Sequence, residues 1–338
     1  MFGSMACVAR GALMWTILSV VTATAADAEQ VLRIGVREDA RPFSHLSDQG
    51  QPGVDTPRPG LPRSHGFTGY VVAICEAALE AGQRNRRSGF PAEMGFETVV
   101  VNAQNRFDAL LDGRIDILCD PATITPRRLT DLMVSMPIYL SAVTYAEPRE
   151  FPGELPCQNI VGVVSETTAD MTGLRSIIAA GSWPRFGGRV SAALDQIGPE
   201  GNAGPRVLPD DPECGAEVIR YYGNHTDLAR DFCAAETLFY VGDVEILQRQ
   251  IRVREGCEAR SRILPAVFTN ERYAIYARRT SETPETAAAI LTFMGELSEL
   301  VYRRPSLLLN EFAEHFDRGT ASEKLRAFYW GLLGDFPR

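Results

Sequence analysis

The sequence predicts an α/β fold in two parts, and three observations carry that prediction. Short β-branched runs alternate with helical apolar patterns, the signature of sheets covered by helices. Once the N-terminal segment is set aside, about 310 of the 338 residues remain, which as a prior means about two domains. Hydrophobic residues make up 45% of the chain, so there is material for two cores, and we find no internal repeat or low-complexity tract.

The chain begins with Met1 to Arg10, an apolar core over 11–21 ("GALMWTILSVV") and small residues to Ala28. This is the pattern of a cleaved signal peptide over 1–28. The core is too short to span a bilayer, which takes about 20 apolar residues. Strands are expected at "VLRIGV" (31–36), "FETVVV" (96–101), "IDILC" (115–119), "IVGVV" (160–164), "TLFYV" (237–241) and "YAIYA" (273–277). Between them, Val71, Cys75, Ala78 and Leu79 share one face of a helix, and "RFDALLDG" (106–113) is a second helix ending on Gly113. Thr283-Pro284 has the form of an N-cap followed by proline at the first helical position, and Ile290, Met294, Leu297 and Val301 then fall on one face. Proline and glycine mark 48–66 as a surface loop and 171–212 as an elaboration of the second part.

Charge and cysteine content narrow the function classes. The net charge of −9 is unchanged by processing, because Arg10 and Asp27 leave together, and an acidic exported protein is a poor partner for nucleic acid or anionic membrane. Six cysteines remain (Cys75, Cys119, Cys157, Cys214, Cys233, Cys257), an even number suited to disulfides in an oxidising compartment. Cys75 with Cys119 is the most defensible pair, since helix and strand should pack together. No Cys-x-x-Cys occurs, and the four histidines lack metal-ligand spacing, so neither metal nor cofactor is expected. Gly-x-Ser-x-Gly, Gly-x-Gly-x-x-Gly and phosphate-loop signatures are absent.

The segment "DILCDPATITPRR" (116–128) leads from a strand through a Pro-Thr turn into two arginines. Thr125 reads as an N-cap, which places Arg127 and Arg128 in the first helical turn. Cations there oppose the helix dipole by ~0.3–1 kcal/mol. An anion resolves the misfit, because it would meet free backbone N–H groups, the Thr123 hydroxyl and a guanidinium fork suited to a carboxylate.

The surrounding motifs "GFTGYVVAICEAAL", "QNRFDALLDGRIDILCDPATITPRR", "SMPIY", "IVGVVSETTAD", "HTDLARDFCAAETLFYVGDVEIL" and "ERYAIYARR" occur in an order that resembles the bacterial extracellular solute-binding proteins of the polar amino-acid family. "GVREDARPFS", "QNR", the Cys of "ILC", the His of "YYGNHTDL" and "SEKLRAFYW" resemble its glutamate/aspartate type. The resemblance implies a type II periplasmic-binding-protein-like fold, with two Rossmann-like lobes joined by two crossover strands and a ligand trapped between them. Lobe 1 would be 29–142 plus 271–338, and lobe 2 would be 143–270. It also implies a monomeric periplasmic receptor that closes on a small amino or dicarboxylic acid and delivers it to an inner-membrane ABC permease.

Residue by residue, the resemblance assigns the ligand's α-carboxylate to Arg128, Thr123 and Thr167 and its α-ammonium to Asp243. A distal carboxylate would go to Arg37 and Arg106, with His225 and Asp120 also lining the site. Phe43 and Phe107 are weaker candidates for apolar walls. Four positions depart from the family: Asp120-Pro121 replaces Gly and a small polar residue, Glu166 replaces a Gly, and Ala73 replaces an acidic residue. The like charge of Asp120 and Glu166 would cost an acidic ligand affinity unless they pair with those same arginines. Glu166 with Arg128 also admits a cyclohexadienyl-dehydratase-like enzyme on the same fold. A sensory receptor without a permease is the other alternative.

Overall fold

The structure is a computed structural model describing residues 30–47, 57–85, 89–152, 160–183, 187–197, 218–316 and 322–333. The expected signal segment 1–28, Cys157 and Cys214 lie outside the described residues, as do 48–56 and 198–212.

The chain opens with β1 (Val31–Val36), whose Leu32, Ile34 and Val36 are fully buried, followed by β2 (Asp39–Ala40), β3 (Ser44–Leu46), β4 (Arg58–Pro59) and β5 (Phe67–Thr68). Helix α1 (Tyr70–Arg84) starts at Gly69, where φ is +127° and a Cβ would come within 2.4 Å of the Phe43 carbonyl oxygen. Only glycine fits there. Then come β6 (Gly95–Val100), α2 (Arg106–Leu111), β7 (Ile117–Thr123), α3 (Pro126–Asp131), β8 (Leu132–Val134) and β9 (Tyr139–Ser141).

After Ala142 the chain enters a second sheet with β10 (Val143–Pro148) and β11 (Val161–Val164). Next are α4 (Leu174–Ala179), α5 (Gly187–Ile197), β12 (Ile219–Tyr222), α6 (His225–Cys233) and β13 (Phe239–Asp243). This part ends with α7 (Val244–Arg252), α8 (Cys257–Arg260) and β14 (Ser261–Ile263). The chain then returns as β15 (Glu271–Arg278), and α9 (Pro284–Arg303), α10 (Pro305–His315) and α11 (Glu323–Leu333) complete it.

The first sheet has the order β4-β6-β1-β7-β15-β8, with β9 also on β15, and the second has β12-β11-β13-β10-β14. β1 is parallel to both β6 and β7, and β11 is parallel to both β12 and β13. Such strands are covered on both faces, and all seven residues of β7 and all four of β11 are buried. The chain crosses between the sheets twice, at β9–β10 and at β14–β15. The two crossings bond to each other: Phe268 N–H donates to Val143 O at 2.9 Å and Leu264 N–H to Tyr145 O at 3.0 Å.

Several sequence expectations change in detail. β7 runs through Asp120 and Pro121 to Thr123 instead of stopping at Cys119. Its partner β15 shifts register between Ala274 and Tyr276, where the proline cannot donate to the ladder. The region 48–66 contributes an edge strand, β4, paired to β6, and a short 3-10 turn at Pro62–His65 as well as loop. Cys75–Cys119 forms and ties α1 to β7 with Cα atoms 5.9 Å apart, and Cys233–Cys257 links α6 to α8. Among the described residues, no helix is long and apolar enough to cross a membrane.

Candidate functional site

The carboxyl ends of β1, β7, β11 and β13 converge where the sheets face each other, the place where open α/β sheets bind ligands. Arg37 is the residue after β1 and is 2% exposed. Its Nε and Nη2 donate to the two carboxylate oxygens of Asp39, each at 2.9 Å, and Nη1 lies 3.8 Å from Asp120 Oδ2. Burial would lower the pKa of Arg37, but Asp39 and Asp120 outweigh it and hold it above its ordinary value. Burial opposes ionisation of Asp39 as well, and Arg37 and His225 still keep that carboxyl below its usual range.

Arg106, the first residue of α2, donates through Nη1 to Asp120 Oδ2 at 3.0 Å. Burial pushes Asp120 up and Arg106 down, against their mutual attraction. The pair leaves two enclosed atoms without a hydrogen-bond partner, Arg106 Nε and Asp120 Oδ1.

The two arginines of the corner part company. Arg127 is exposed, while Arg128 is 8% exposed and turns back so that Nη1 donates to Thr123 O at 2.7 Å. Thr125 is the N-cap as expected and accepts from Arg128 N–H at 3.4 Å. The guanidinium of Arg128 lies 4.0 Å from the centroid of the Phe107 ring, and Phe107 meets Tyr276 edge-on at 5.5 Å. Burial lowers the Arg128 pKa to about 10, with Arg106 adding to the effect. It remains a cation at neutral pH, and among the described residues it forms no ion pair with a carboxylate.

Asp243 is the last residue of β13 and the N-cap of α7, yet its side chain caps nothing. Its Oδ1 is enclosed without a partner. Burial first, then the carboxylate of Glu271, raises its pKa to about 8. Thr123 Oγ1 donates to Glu271 Oε2 at 2.5 Å and is 3.4 Å from Thr168 Oγ1 across the crevice.

The Thr167 hydroxyl donates to Val164 O at 2.7 Å in its own turn, and the hydroxyl near Thr123 is that of its neighbour Thr168, 3.4 Å away. His225 opens α6. Its N–H donates to Asp39 Oδ2 at 2.7 Å, and its Nδ1 is 2.9 Å from Tyr240 OH. Burial holds the imidazole near pKa 3, so it is neutral.

Phe43 is a core residue within an aromatic cluster with Tyr70, Tyr139, Tyr273 and Phe316, and it is fully buried. Glu166 is half-buried in the left-handed region (φ 59°) and its N–H donates to Asp170 Oδ2 at 3.2 Å.

Sequence reasoning missed Asp39, Glu271, Thr168 and Glu245. The last accepts hydrogen bonds from Tyr139 OH and Ser141 Oγ across the crevice, and burial raises its pKa to about 7. The signal for Asp39 was present in "RED", a carboxylate two residues beyond a strand-end arginine. Among the described residues one group has metal-ligand chemistry, Glu311, Glu314 and His315 on α10. The Arg63 guanidinium already stands beside its Glu311 carboxylate, with Nη2 3.6 Å from Oε2, and His315 Nε2 lies 3.4 Å from the same oxygen.

No protein-family model and no curated protein matches this chain. Solved structures do match. An ancestral arginine-binding protein bound to glutamine is 13% identical, with a TM-score of 0.54 over 85% of this chain and 97% of that one. An ancestral amino-acid-binding protein, a precursor of cyclohexadienyl dehydratase, is 17% identical, with a TM-score of 0.53 over 85% and 96%. A histidine kinase sensor domain with similarity to periplasmic binding proteins is 14% identical, with a TM-score of 0.54 over 86% and 97%. These similarities establish the fold: two mixed α/β lobes of the type II periplasmic-binding-protein kind.

Proposed function

We infer that this chain is an exported receptor that captures a free α-amino acid by closing its two lobes, 29–142 plus 271–338 and 143–270. The observation that carries this reading is the pairing of opposite needs in one crevice. Among the described residues, Arg128 is an enclosed cation with no carboxylate in ion-pair contact, and half-buried Asp243 has no cation in ion-pair contact and an enclosed Oδ1 without a hydrogen bond. An amino-acid backbone supplies both partners, and a charge removed from water has to be paired. Thr123 and Thr168 contribute hydroxyls between the lobes, and Arg37, Arg106, Asp120 and His225 line the rest of the site.

The expected glutamate/aspartate specificity assigned a distal carboxylate to Arg37 and Arg106. Both are engaged by Asp39 and Asp120, so the geometry supports the amino-acid class without an acidic side chain. For Glu166 to serve as the acid or base of an eliminating enzyme, it would have to reach the Arg128 pocket. It lies in a tight turn, and among the described residues no bond links it to Arg128.

Delivery to an inner-membrane ABC permease is the proposed role, in keeping with the amino-acid-binding proteins of the same fold. A sensory role is the second reading, favoured by the likeness to a kinase sensor domain. The test is calorimetric titration of protein stripped of ligand by unfolding, with each α-amino acid and with analogues lacking the carboxylate or the amine. Binding that needs both groups, with a fall in radius of gyration, is the expected result. Equal binding of the analogues would overturn it.

A further inference from the structure

The two arginines nearest Asp120 have very different spare capacity. The fork of Arg37 is closed by Asp39 through two bonds of 2.9 Å, and the same Asp39 Oδ2 also takes the His225 N–H at 2.7 Å. A carboxylate of the protein therefore occupies the donors that an acidic ligand side chain would need. Asp120 adds a second negative charge beside them, fully buried.

Arg106 and Asp120 are joined by a single bond of 3.0 Å between Nη1 and Oδ2, which leaves the Nε–H donor and the Oδ1 acceptor unused. Buried polar groups nearly always find partners, and each one stranded costs about 1–3 kcal/mol. One missing acceptor and one missing donor, within one ion pair, describe the complement of a group that both accepts and donates. A carboxylate can serve only the arginine side and an ammonium or guanidinium only the aspartate side. Either would also meet a like charge at the other.

We propose that the ligand is an amino acid with an uncharged side chain carrying both an acceptor and a donor, best a primary carboxamide. Its C=O takes the Arg106 Nε–H and its NH2 donates to Asp120 Oδ1. Asp39 is the specificity-determining residue that excludes acidic side chains by filling Arg37. The proposal rests on the α-amino-acid reading above. It adds selectivity, because binding sites built to hydrogen-bond a polar group reject analogues that lack it and strand their own atoms.

The experiment titrates refolded, ligand-free full-length protein with glutamine, asparagine, glutamate, aspartate, arginine and norvaline. Glutamine or asparagine should bind at least tenfold tighter than each of the others. Asp39→Asn should then narrow the gap between amide and acid at least tenfold by opening the Arg37 fork. Tighter binding of glutamate, aspartate, arginine or norvaline would overturn the inference and leave the amino-acid reading standing. Failure of every α-amino acid, free or with analogues, would overturn both. The comparison within the wild-type protein decides the matter even if the Asp39 variant does not fold.

Discussion

Asp39 spans the crevice to His225: its Oδ2 accepts the N–H of the first residue of α6 at 2.7 Å, while Gln250 Nε2 from α7 donates to its carbonyl oxygen at 2.8 Å. A carboxylate at the N-terminus of a nine-residue helix complements the helix dipole and an orphan N–H, and here it also neutralises a buried arginine. One residue therefore closes Arg37 and docks the first lobe onto two helices of the second.

Asp39→Ala should consequently be among the most damaging substitutions in the crevice. It leaves the Arg37 guanidinium, 2% exposed, with Asp120 at 3.8 Å as its remaining ion-pair partner among the described residues and frees the His225 N–H. Breaking one partner of a buried ion pair costs roughly 3–5 kcal/mol. Urea unfolding of wild type and variant measures the loss, and a difference below about 1 kcal/mol would mean that Arg37 is held by other means.

Glu166 offers the opposite case, a residue whose replacement should help. Its φ of 59° lies in the left-handed region, where a side chain with a Cβ is strained and glycine is at ease. The turn is fixed by bonds that do not need the glutamate side chain, the Glu166 N–H to the Asp170 carboxylate at 3.2 Å and the Thr167 hydroxyl to Val164 O at 2.7 Å. Glu166→Gly is expected to raise stability by ~0.5–1 kcal/mol, set by relief of strain against added freedom in the unfolded chain. A thermal melt showing a lower Tm would contradict this account.

Much of the fold and part of the site were legible because they depend on local chemistry. Short apolar, β-branched-rich runs place β1, β11 and β15, and Thr125-Pro126 and Thr283-Pro284 start their helices as written. Strand-end positions brought Arg37 and Asp243 to the crevice, and the helix-start position of Arg128 foretold a cation short of an anion. What sequence could not show is who partners whom across the gap. Asp39 lies 186 residues from His225, and Glu271 lies 148 from Thr123. No period or motif encodes such pairs, so the pairing of Asp120 with these arginines stood only as one possibility and Asp39 was not foreseen as the partner of Arg37. Thr167 and Thr168 are likewise adjacent, and only the turn geometry decides which hydroxyl faces the crevice.

The Asp243 carboxyl makes both stability and binding depend on pH. Its pKa of about 8 stands above its ordinary value of 3.8 because burial and Glu271 disfavour the charge. A raised folded value means that this group's contribution to stability is complete below the ordinary pKa and is lost as pH rises through about 8. Ligand-free protein should melt at lower temperature at pH 9 than at pH 5. Asp243→Asn should flatten that slope in part, since Glu245, raised to about 7, titrates in the same direction. Binding runs the other way. An α-ammonium needs the ionised carboxylate, so capture below pH 8 expels a proton, and affinity should rise up to tenfold per unit toward pH 8. Calorimetry in buffers of different ionisation heat detects that proton, and a pH-independent affinity would remove Asp243 from the ammonium role.

Arg128 and Phe107 make the last case, because the ring beneath the guanidinium separates positioning from charge. Arg128 is held by the Thr123 carbonyl at 2.7 Å and by the Phe107 face at 4.0 Å, contacts that aim the fork without consuming its charge. Truncation to alanine removes a charge-assisted and bidentate bond in an enclosed site, a loss of about 2–5 kcal/mol, so Arg128→Ala should weaken every α-amino acid at least about 30-fold. Arg128→Lys keeps the charge, yet it replaces a planar fork by a point cation and should recover only part of that loss. Phe107→Leu keeps an apolar support and removes the cation–π attraction, ~0.5–2 kcal/mol, so affinity should fall roughly 2- to 30-fold. The ranking to be found by titration is therefore wild type, Phe107→Leu, Arg128→Lys and Arg128→Ala in descending affinity, the same for every side chain tested. A ligand whose affinity ignores Arg128→Ala would show that the carboxylate anchor lies elsewhere.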